Sequence, residues 1–177
     1  MKNSAPFLSK DHKQNKYLQS YLSPIGWLII EASNFGLTRI TLTETNNAKQ
    51  QPCIFTSDAQ VQLQEYFNME RTSFDIPFDL KGYSEFALKV WDALTKIPFG
   101  KTVSYKELSI SLGDVKAIRA VGTTNGKNPI PIIIPCHRVI GSDGSLTGYA
   151  LGLDIKKQLL ILENPRKFGQ IQTKLTF

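Results

Sequence analysis

A cysteine, a histidine and an arginine follow one another at Cys136, His137 and Arg138, at the end of an apolar run. Cationic neighbours favour a thiolate over a thiol, so Cys136 is a candidate nucleophile. The alternative is a structural cysteine, because free cysteines are usually buried and act as small hydrophobes. His137 is a candidate base, although consecutive side chains of an extended segment point to opposite faces. Activation of the thiol would therefore need a turn or a bridging water.

The segment 128–141 must position these residues, and it is rich in proline and isoleucine. Proline fixes φ, lacks an N–H and disfavours helix at the residue before it. The prolines are Pro129, Pro131 and Pro135. We therefore expect 128–141 to be extended and stiff. Its branched residues predict burial, which would place Cys136 at the floor of a cleft where the chain leaves the core.

The N-terminal part has the pattern of a small antiparallel sheet covered by one helix. Three strand-like runs, at 17–22, 26–31 and 37–43, are separated by turn signals. Ser57 with Gln60 could form a capping box for a helix with an apolar face. This pattern predicts an antiparallel meander with a helix packed on it.

Residues 74–82 alternate and then break, which predicts an edge strand and the link between two lobes. We predict two domains, at 1–82 and 83–177. The fold class is α/β, of the α+β kind. A small N-terminal antiparallel sheet with a helix would precede a mainly helical C-terminal domain.

Two short helices joined by a glycine-containing turn form the centre of the C-terminal part. Ser104 and Glu107 form the capping box of the first helix, which would end near Gly113. Asp114 would cap the second helix, over residues 115–124. This outline fits a helix-turn-helix, although many structural helix pairs share it.

Further helices are predicted on either side of this pair. Ser84 can cap the helix before it, and Asp154 can cap the last helix of the chain. Glu163 falls beside the inner stripe of that last helix, near its C-terminus, where the helix dipole disfavours a carboxylate. Glu163 is therefore a candidate partner for His137, and the alternative is a surface glutamate.

The positive charge of the chain is concentrated in its second part. Residues 1–83 carry 8 Lys and Arg against 8 Asp and Glu, whereas residues 84–177 carry 13 against 7. The net charge of +6 therefore lies wholly after residue 83. A polyanion would bind there, and the alternative is a solvated basic face that serves solubility.

Cysteine content and hydropathy argue against several classes of protein. The two cysteines, Cys53 and Cys136, lie far apart and form no CxxC pair, so we expect no disulfide framework, no metal and no cofactor. The apolar stretches are shorter than the roughly 20 residues of a membrane span, and the N-terminus lacks the apolar segment of a secretion signal. We expect a cytoplasmic protein with no membrane partner.

The stretch from Phe86 to Glu163 resembles the O6-alkylguanine-DNA alkyltransferases, because it carries several motifs of that family in the same order. Pro-Cys-His-Arg, at 135–138, is the family's active-site signature. The shared motifs are Val90-Trp91, Ile97-Pro98-x-Gly100-x-Thr102-x-Ser104-Tyr105, Arg119-Ala-Val-Gly122, Asn128-Pro129, Pro135-Cys-His-Arg-Val139, Thr147-Gly-Tyr149 and Leu160-x-x-Glu163. The N-terminal part resembles the variable domain of the family.

The resemblance implies irreversible transfer of an alkyl group from O6 of guanine, and less readily from O4 of thymine, to Cys136. Each molecule would act once. His137 would deprotonate the thiol through a bridging water while Glu163 orients the imidazole. Tyr105 would donate a hydrogen bond to the departing guanine.

The resemblance also implies duplex DNA carrying O6-alkylguanine as the partner, with the damaged base flipped out of the helix. Arg119 would take the place of the extruded nucleotide. The second helix of the pair would enter the minor groove, where small residues and phosphate contacts are needed. The implied DNA-binding residues are Arg119, Ala117, Ala120, Lys116 and Lys127. We expect a monomer, and cooperative assembly on DNA is left open.

The implied substrate pocket departs from the family pattern at a few positions. Its residues would be Asn128, Val139, Tyr149 and Ala150, with backbone groups contributing. Ala150 lacks a hydroxyl that some members have, Leu151 replaces a frequent glycine, and Ile118 is bulkier than the usual residue beside the arginine. These changes bear on the size of the alkyl group that fits.

Two rival functions are compatible with parts of the sequence. One is a lesion-binding or helix-turn-helix sensor that carries out no productive transfer. The other is a Cys-His hydrolase, which would turn over repeatedly and need no DNA. The Arg119 motif would be unexplained in the hydrolase.

Overall fold

The structure is a computed structural model that describes residues 15–46 and 48–169. The outer ends of the predicted domains, 1–82 and 83–177, therefore lie partly outside the described residues. The boundary near Gly82 stays a prediction.

The N-terminal part contains a three-stranded antiparallel sheet, as its alternating pattern predicts. The strands are β1 (Tyr17–Ser23), β2 (Gly26–Ala32) and β3 (Leu37–Thr43), in the order β1-β2-β3. Tyr17 pairs with Ala32, and the β2–β3 register shifts between Glu31 and Ala32. The predicted meander is confirmed.

One helix, α1 (Ile54–Phe67), packs against β1 and β2. The predicted cap at Ser57 is wrong, because the helix begins one turn earlier, after Cys53. The hydroxyl of Thr56 accepts the Cys53 N–H at 2.9 Å. Cysteine is not among the usual capping residues, so the sequence pattern favoured the later serine.

Residues 74–82 do not form the predicted edge strand. Phe78 makes an isolated parallel bridge to Leu37 in β3, with Leu37 N–H donating to the Pro77 carbonyl at 2.9 Å. Proline at position 77 cannot donate to a ladder, which limits the pairing to this bridge.

The C-terminal part is mainly helical, as predicted. Its elements in chain order are α2 (Glu85–Thr95), β4 (Val103–Ser104), α3 (Tyr105–Ser111), a 3₁₀ turn (Val115–Ala117), α4 (Ile118–Gly126), a second 3₁₀ turn (Cys136–Arg138), β5 (Val139–Ile140), α5 (Leu153–Glu163) and α6 (Pro165–Phe168). β4 and β5 pair in parallel. The mixed α/β fold class is confirmed.

Most of the predicted helix caps are present. Ser84 accepts the Ala87 N–H at 3.2 Å, and Ser104 with Glu107 forms a complete capping box for α3. Asp114 caps the first 3₁₀ turn, which leads directly into α4. The cap predicted at Asp154 is wrong, because α5 begins after Gly152, whose φ of +91° suits glycine.

Residues 128–140 are buried as predicted, but the segment is not extended throughout, because it turns at 130–134 and again at Cys136–Arg138 before the short strand β5. Ile134 N–H donates to the Ile130 carbonyl at 2.9 Å, which closes a turn, and Ile132 has a φ of +76°. The Asn128 side chain stabilises this turn by donating to the Ile134 carbonyl at 2.7 Å and accepting from Ile130 N–H at 3.0 Å. Asparagine side chains that bond nearby backbone compete with extended structure, which is the reason for the difference.

The N-terminal and C-terminal parts share one hydrophobic core. It includes Leu28 and Leu63 from the first part and Trp91 and Ile134 from the second. Ile40 N–H in β3 donates to the Pro129 carbonyl at 2.9 Å. The sheet is thus joined directly to the segment that carries Cys136.

Candidate active site

Cys136 begins the second 3₁₀ turn, and its side chain is fully buried. The Asn128 amide donates to its sulfur at 3.0 Å, and the Asn125 amide donates to its carbonyl oxygen at 3.3 Å. Burial raises the pKa of the thiol to about 11, and the Asn128 hydrogen bond and the charge of Lys156 offset only part of this effect. Cys136 is therefore a thiol at neutral pH, and it needs a base.

These facts correct two expectations. The sulfur does not lie at the floor of an open cleft, because its exposed fraction is 0%. The positive charges nearby do not bring the pKa of the thiol below its ordinary value, because burial outweighs the charge of Lys156 and because Arg138 is paired with Glu163.

Glu163 lies at the end of α5 and is buried, with hydrogen bonds to four other residues. Its Oε1 is 2.7 Å from Nε2 of His137, so the predicted contact between these residues is confirmed. Arg138 Nε donates to Oε2 at 2.9 Å, and Gly100 N–H donates to the same oxygen at 3.0 Å. Tyr66 O–H donates to Oε1 at 2.8 Å. Glu163 is not a surface glutamate.

The carboxylate of Glu163 is strongly acidic. Burial alone would raise its pKa, but the hydrogen bonds and charges of His137 and Arg138 outweigh burial and lower the pKa to about 2. Glu163 therefore carries a full negative charge in the core at neutral pH. An ionised carboxylate can only accept hydrogen bonds, so Nε2 of His137 is the donor.

His137 is fully buried, and burial lowers its pKa below the ordinary value of 6.5. The imidazole is therefore neutral at pH 7. Because Nε2 carries the proton, Nδ1 has a free lone pair. Nδ1 has no hydrogen-bond partner among the described residues. This nitrogen is available to accept a proton.

Lys156, on α5 two turns before Glu163, is a site residue that sequence reasoning missed. Its side chain is buried, and its ammonium donates to the Val139 carbonyl at 2.6 Å and the Thr147 carbonyl at 2.8 Å. Burial lowers its pKa to about 8. The available signal was its spacing of seven residues from Glu163, which puts both on one helix face.

Asn125 and Tyr66 were also missed as site residues, and Arg138 was considered only as a cationic neighbour of Cys136. Each contacts Cys136 or Glu163 directly. Arg138 adds a hydrogen bond from Nη1 to the Ile97 carbonyl at 2.5 Å. In the sequence, Asn125 resembles an ordinary helix residue, Tyr66 resembles a core aromatic, and Arg138 is a basic neighbour of Cys136.

Two predicted tyrosines lie near the thiol. Tyr105 opens α3, and its hydroxyl bonds to the carbonyls of Thr147 at 3.2 Å and Gly148 at 3.4 Å. The Tyr149 ring meets the His137 ring edge to face with centroids 6.4 Å apart, and its buried hydroxyl has no partner in the described chain. Burial raises the pKa of both tyrosines, and a negative charge on Cys136 would contribute in the same direction.

The predicted DNA-binding residues lie on or beside α4. Lys116, Arg119 and Ala120 are exposed, and Ala117 is half-buried at the end of the first 3₁₀ turn. Lys127 follows the other end of α4. Lys116 and Arg119 are thus presented to solvent near the start of α4.

The predicted pocket residues divide between two places. Val139 is buried, and its carbonyl is bonded to Lys156. Ala150 is exposed and lines a groove of about 370 Å³ together with Asn128, Lys127 and Arg39. Asn128 therefore connects this groove to the sulfur of Cys136.

No group of three or more His, Cys, Asp or Glu side chains among residues 15–46 and 48–169 could hold a metal ion. The helices in those ranges are also too short or too polar to cross a membrane.

Two family models match most of the chain. Residues 85–165 match the one described as "6-O-methylguanine DNA methyltransferase, DNA binding domain". Residues 16–80 match the one described as "6-O-methylguanine DNA methyltransferase, ribonuclease-like domain".

Similar proteins carry a consistent name. The methylated-DNA–protein-cysteine methyltransferase of Methanosarcina barkeri is 46% identical over 147 residues, which is 80% of this chain and 92% of that protein. The constitutive enzyme of that name from Bacillus subtilis is 40% identical over 157 residues, which is 83% of this chain and 94% of that protein.

Solved structures agree with these relatives. The Mycobacterium tuberculosis O6-methylguanine methyltransferase has a TM-score of 0.76 and 41% identity, covering 86% of this chain and 94% of its own. The Mycobacterium tuberculosis OGT in complex with DNA has a TM-score of 0.75 and 44% identity, covering 85% and 94%.

Proposed function

Because the chain belongs to the methylated-DNA–protein-cysteine methyltransferase family, we propose that it repairs duplex DNA by moving an alkyl group from O6 of guanine onto Cys136. The thioether that forms does not turn over, so each molecule acts once. O4 of thymine is a slower substrate. Transfer of a methyl group from DNA to a protein cysteine is the activity of the family, and DNA is the partner.

One observation carries the assignment of the site. A buried thiol and a neutral imidazole are adjacent in the chain, and the imidazole is bonded on its far side to a buried carboxylate at 2.7 Å. This is the nucleophile, base and orienting group that covalent catalysis requires. A structural cysteine would need neither the base nor the carboxylate.

The proton of Cys136 must leave during the reaction, because burial raises the pKa of the thiol to about 11. His137 Nδ1 accepts that proton through a bridging water, and the charge of Glu163 stabilises the imidazolium that forms. The Asn128 hydrogen bond to the sulfur stabilises the thiolate.

In the transfer step the sulfur forms a bond to the alkyl carbon while the bond from that carbon to O6 breaks. The electron pair of the broken bond stays on the guanine. Tyr105 donates its proton toward the departing base and stabilises the charge. In the structure that hydroxyl is bonded to the carbonyls of Thr147 and Gly148, so it changes partner when the base enters.

Extrusion of the base follows from the burial of the sulfur. An O6 substituent inside the stack cannot reach a thiol whose exposed fraction is 0%. Arg119, exposed near the start of α4, enters the duplex in place of the flipped nucleotide. The alkyl pocket is bounded by Tyr149, Asn128 and the backbone near Val139 and Ala150.

The helix-turn-helix formed by α3, the first 3₁₀ turn and α4 holds the DNA. Ala117 and Ala120 permit close approach to the minor groove, and Lys116 and Lys127 bind phosphates. Such contacts give affinity without sequence preference, as repair of scattered lesions requires.

A transfer assay with matched cysteine variants tests this function. Duplex DNA carrying O6-methylguanine with a labelled methyl group is incubated with the wild type, Cys136→Ala and Cys53→Ala. We expect Cys136→Ala to bind the duplex without taking up label, whereas Cys53→Ala, whose cysteine lies at the start of α1, is labelled like the wild type. Label on Cys136→Ala would remove the assignment of the acceptor, and an unlabelled wild type that still binds the duplex would favour a lesion sensor.

A further inference from the structure

Tyr66 brings the N-terminal part of the chain into the candidate active site. It lies in α1, its exposed fraction is 0%, and its hydroxyl donates to Glu163 Oε1 at 2.8 Å. The same oxygen is 2.7 Å from Nε2 of His137. One carboxylate oxygen is therefore bonded both to His137, the proposed base, and to a residue from the N-terminal part.

The ring of Tyr66 is held so that its hydroxyl stays in this position. It packs against Phe67, Phe74 and Phe99, with ring centroids 5.3, 5.5 and 6.0 Å away. Burial, followed by the charge of Glu163, raises the pKa of Tyr66 well above its ordinary value. The hydroxyl therefore stays protonated and remains a donor.

We propose that Tyr66 is a positioning residue that sets how strongly Glu163 stabilises protonated His137. This inference rests on the proposed role of His137 as the base. A donor on Oε1 draws negative charge toward itself and leaves less for the imidazolium on the same oxygen. Tyr66 thereby adds to the effect of burial in keeping His137 neutral and able to accept the proton from Cys136.

Burial and several charged groups also act on the pKa of His137, but none of them replaces the hydrogen bond from Tyr66 to Glu163. Burial lowers the pKa of His137, and the charges of Arg138 and Lys156 lower it too. Glu163 raises it, and the nearby ring of Tyr149 is neutral. Tyr66 reaches His137 through Glu163, so its removal changes one of these influences and leaves the remaining charges in place.

Without the Tyr66 hydroxyl, Glu163 stabilises the imidazolium more strongly and the pKa of His137 rises. A protonated His137 cannot take the proton from Cys136, so the rate would be lost at a higher pH than in the wild type. The free energy of one hydrogen bond corresponds to a change of about half a pH unit to one pH unit in the pKa of His137.

Tyr66→Phe tests the inference, because it keeps the ring and removes only the hydroxyl. Tyr21→Phe is the matched control, since Tyr21 also packs against Phe67 but does not bond to Glu163. Single-turnover rates with O6-methylguanine duplex are measured against pH. The acid limb of the Tyr66→Phe pH–rate profile should move to higher pH by about half a pH unit to one pH unit. At pH values on that limb, the rate should then be roughly three- to tenfold lower than in the wild type. The profile of Tyr21→Phe should match that of the wild type.

A second substitution gives the opposite sign. Replacing Tyr66 with 3,5-difluorotyrosine makes the hydroxyl a stronger donor without removing it, and the acid limb should move to lower pH. Unshifted profiles for both Tyr66 variants, or an equal shift in Tyr21→Phe, would overturn the inference.

A direct titration separates this inference from the proposed function. The pKa of His137 is read from its ring signals by NMR, with the second histidine, His12, replaced by glutamine to assign them. If no variant transfers a methyl group, the proposed function fails, and the titration still decides the role of Tyr66. An unchanged His137 pKa in Tyr66→Phe would refute it.

Discussion

Glu163 is a negatively charged residue in the core, and the groups around it stabilise that charge. Arg138 supplies the compensating positive charge, at 2.9 Å, and both side chains are almost fully buried. Taking two charges out of water is costly, and removing one partner leaves the other unpaired in the core. The stability of the fold therefore depends on the same side chain that bonds to His137.

Substitution of Glu163 with glutamine should destabilise the protein strongly. Arg138 would keep its charge without a counter-ion, so the free energy of unfolding should fall by about 3–5 kcal/mol. Urea denaturation at pH 7 measures the change. Glu65→Gln is the control, because Glu65 pairs with Arg71 at the partly exposed surface and should cost at most about 1 kcal/mol. Equal losses for the two variants would contradict the buried pairing.

The pH dependence of this effect follows from the pKa of Glu163, about 2 in the folded protein. The unfolded value is about 4.3, so the contribution of the ionised carboxylate is present above that pH and is lost as the pH falls toward 2. The difference between the wild type and Glu163→Gln should therefore shrink as the pH falls below about 4.

Sequence reasoning placed Glu163 beside His137 but missed Lys156 and Tyr66, for a physical reason. A carboxylate at the C-terminal end of a helix is unfavourable without a partner, which made Glu163 conspicuous. A lysine is usually solvated, and its burial here depends on carbonyls of two separate residues, Val139 and Thr147. Tyr66 has the spacing of an ordinary core residue, and its hydroxyl partner lies far along the chain.

At the scale of the elements, capping residues were the most informative local signals. Ser84 and the Ser104–Glu107 pair cap helices as predicted, because such caps depend only on neighbouring backbone N–H groups. The turn at 130–134 was not predictable in the same way. It depends on the Asn128 side chain and on a positive φ at Ile132, a conformation that branched residues rarely adopt.

The position of Arg119 on α4 leads to a prediction that separates base flipping from chemistry. Arg119→Ala should slow methyl transfer from duplex DNA at least about tenfold, because holding an extruded base is worth a few kcal/mol. Reaction with free O6-benzylguanine, which needs no flipping, should change little. Rates with both substrates measure the contrast.

The matched control for Arg119 is Arg166→Ala, which removes an exposed arginine from α6. It should leave both rates near those of the wild type. If Arg119→Ala slowed both reactions equally, Arg119 would have another role.

At the scale of the whole molecule, the charge and the core are distributed differently. The net charge of +6 lies in residues 84–177, which suits a partner with a phosphate backbone, although charge alone fits a solvated basic face equally well. The core, in contrast, includes residues of both parts, and Tyr66 in the N-terminal part donates a hydrogen bond to Glu163. Alternation and composition predicted the fold class, but contacts between distant segments could not be read from local patterns.

The burial of Cys136 also concerns the molecule as a whole. Because the sulfur is fully buried, the proposed transfer from an extruded base requires the chain around it to open. Tyr105 and Lys156 both donate to the Thr147 carbonyl, and we expect these two hydrogen bonds to change in such an opening.

In the proposed reaction, one methyl group passes from DNA to Cys136 of each molecule and remains there. Mass spectrometry of the protein after incubation with excess O6-methylguanine duplex, followed by peptide mapping, measures the number and position of the groups added. We predict a gain of one methyl group per molecule, located on the peptide that contains Cys136. An unmodified protein, or a methyl group on Cys53 or another residue, would contradict the account.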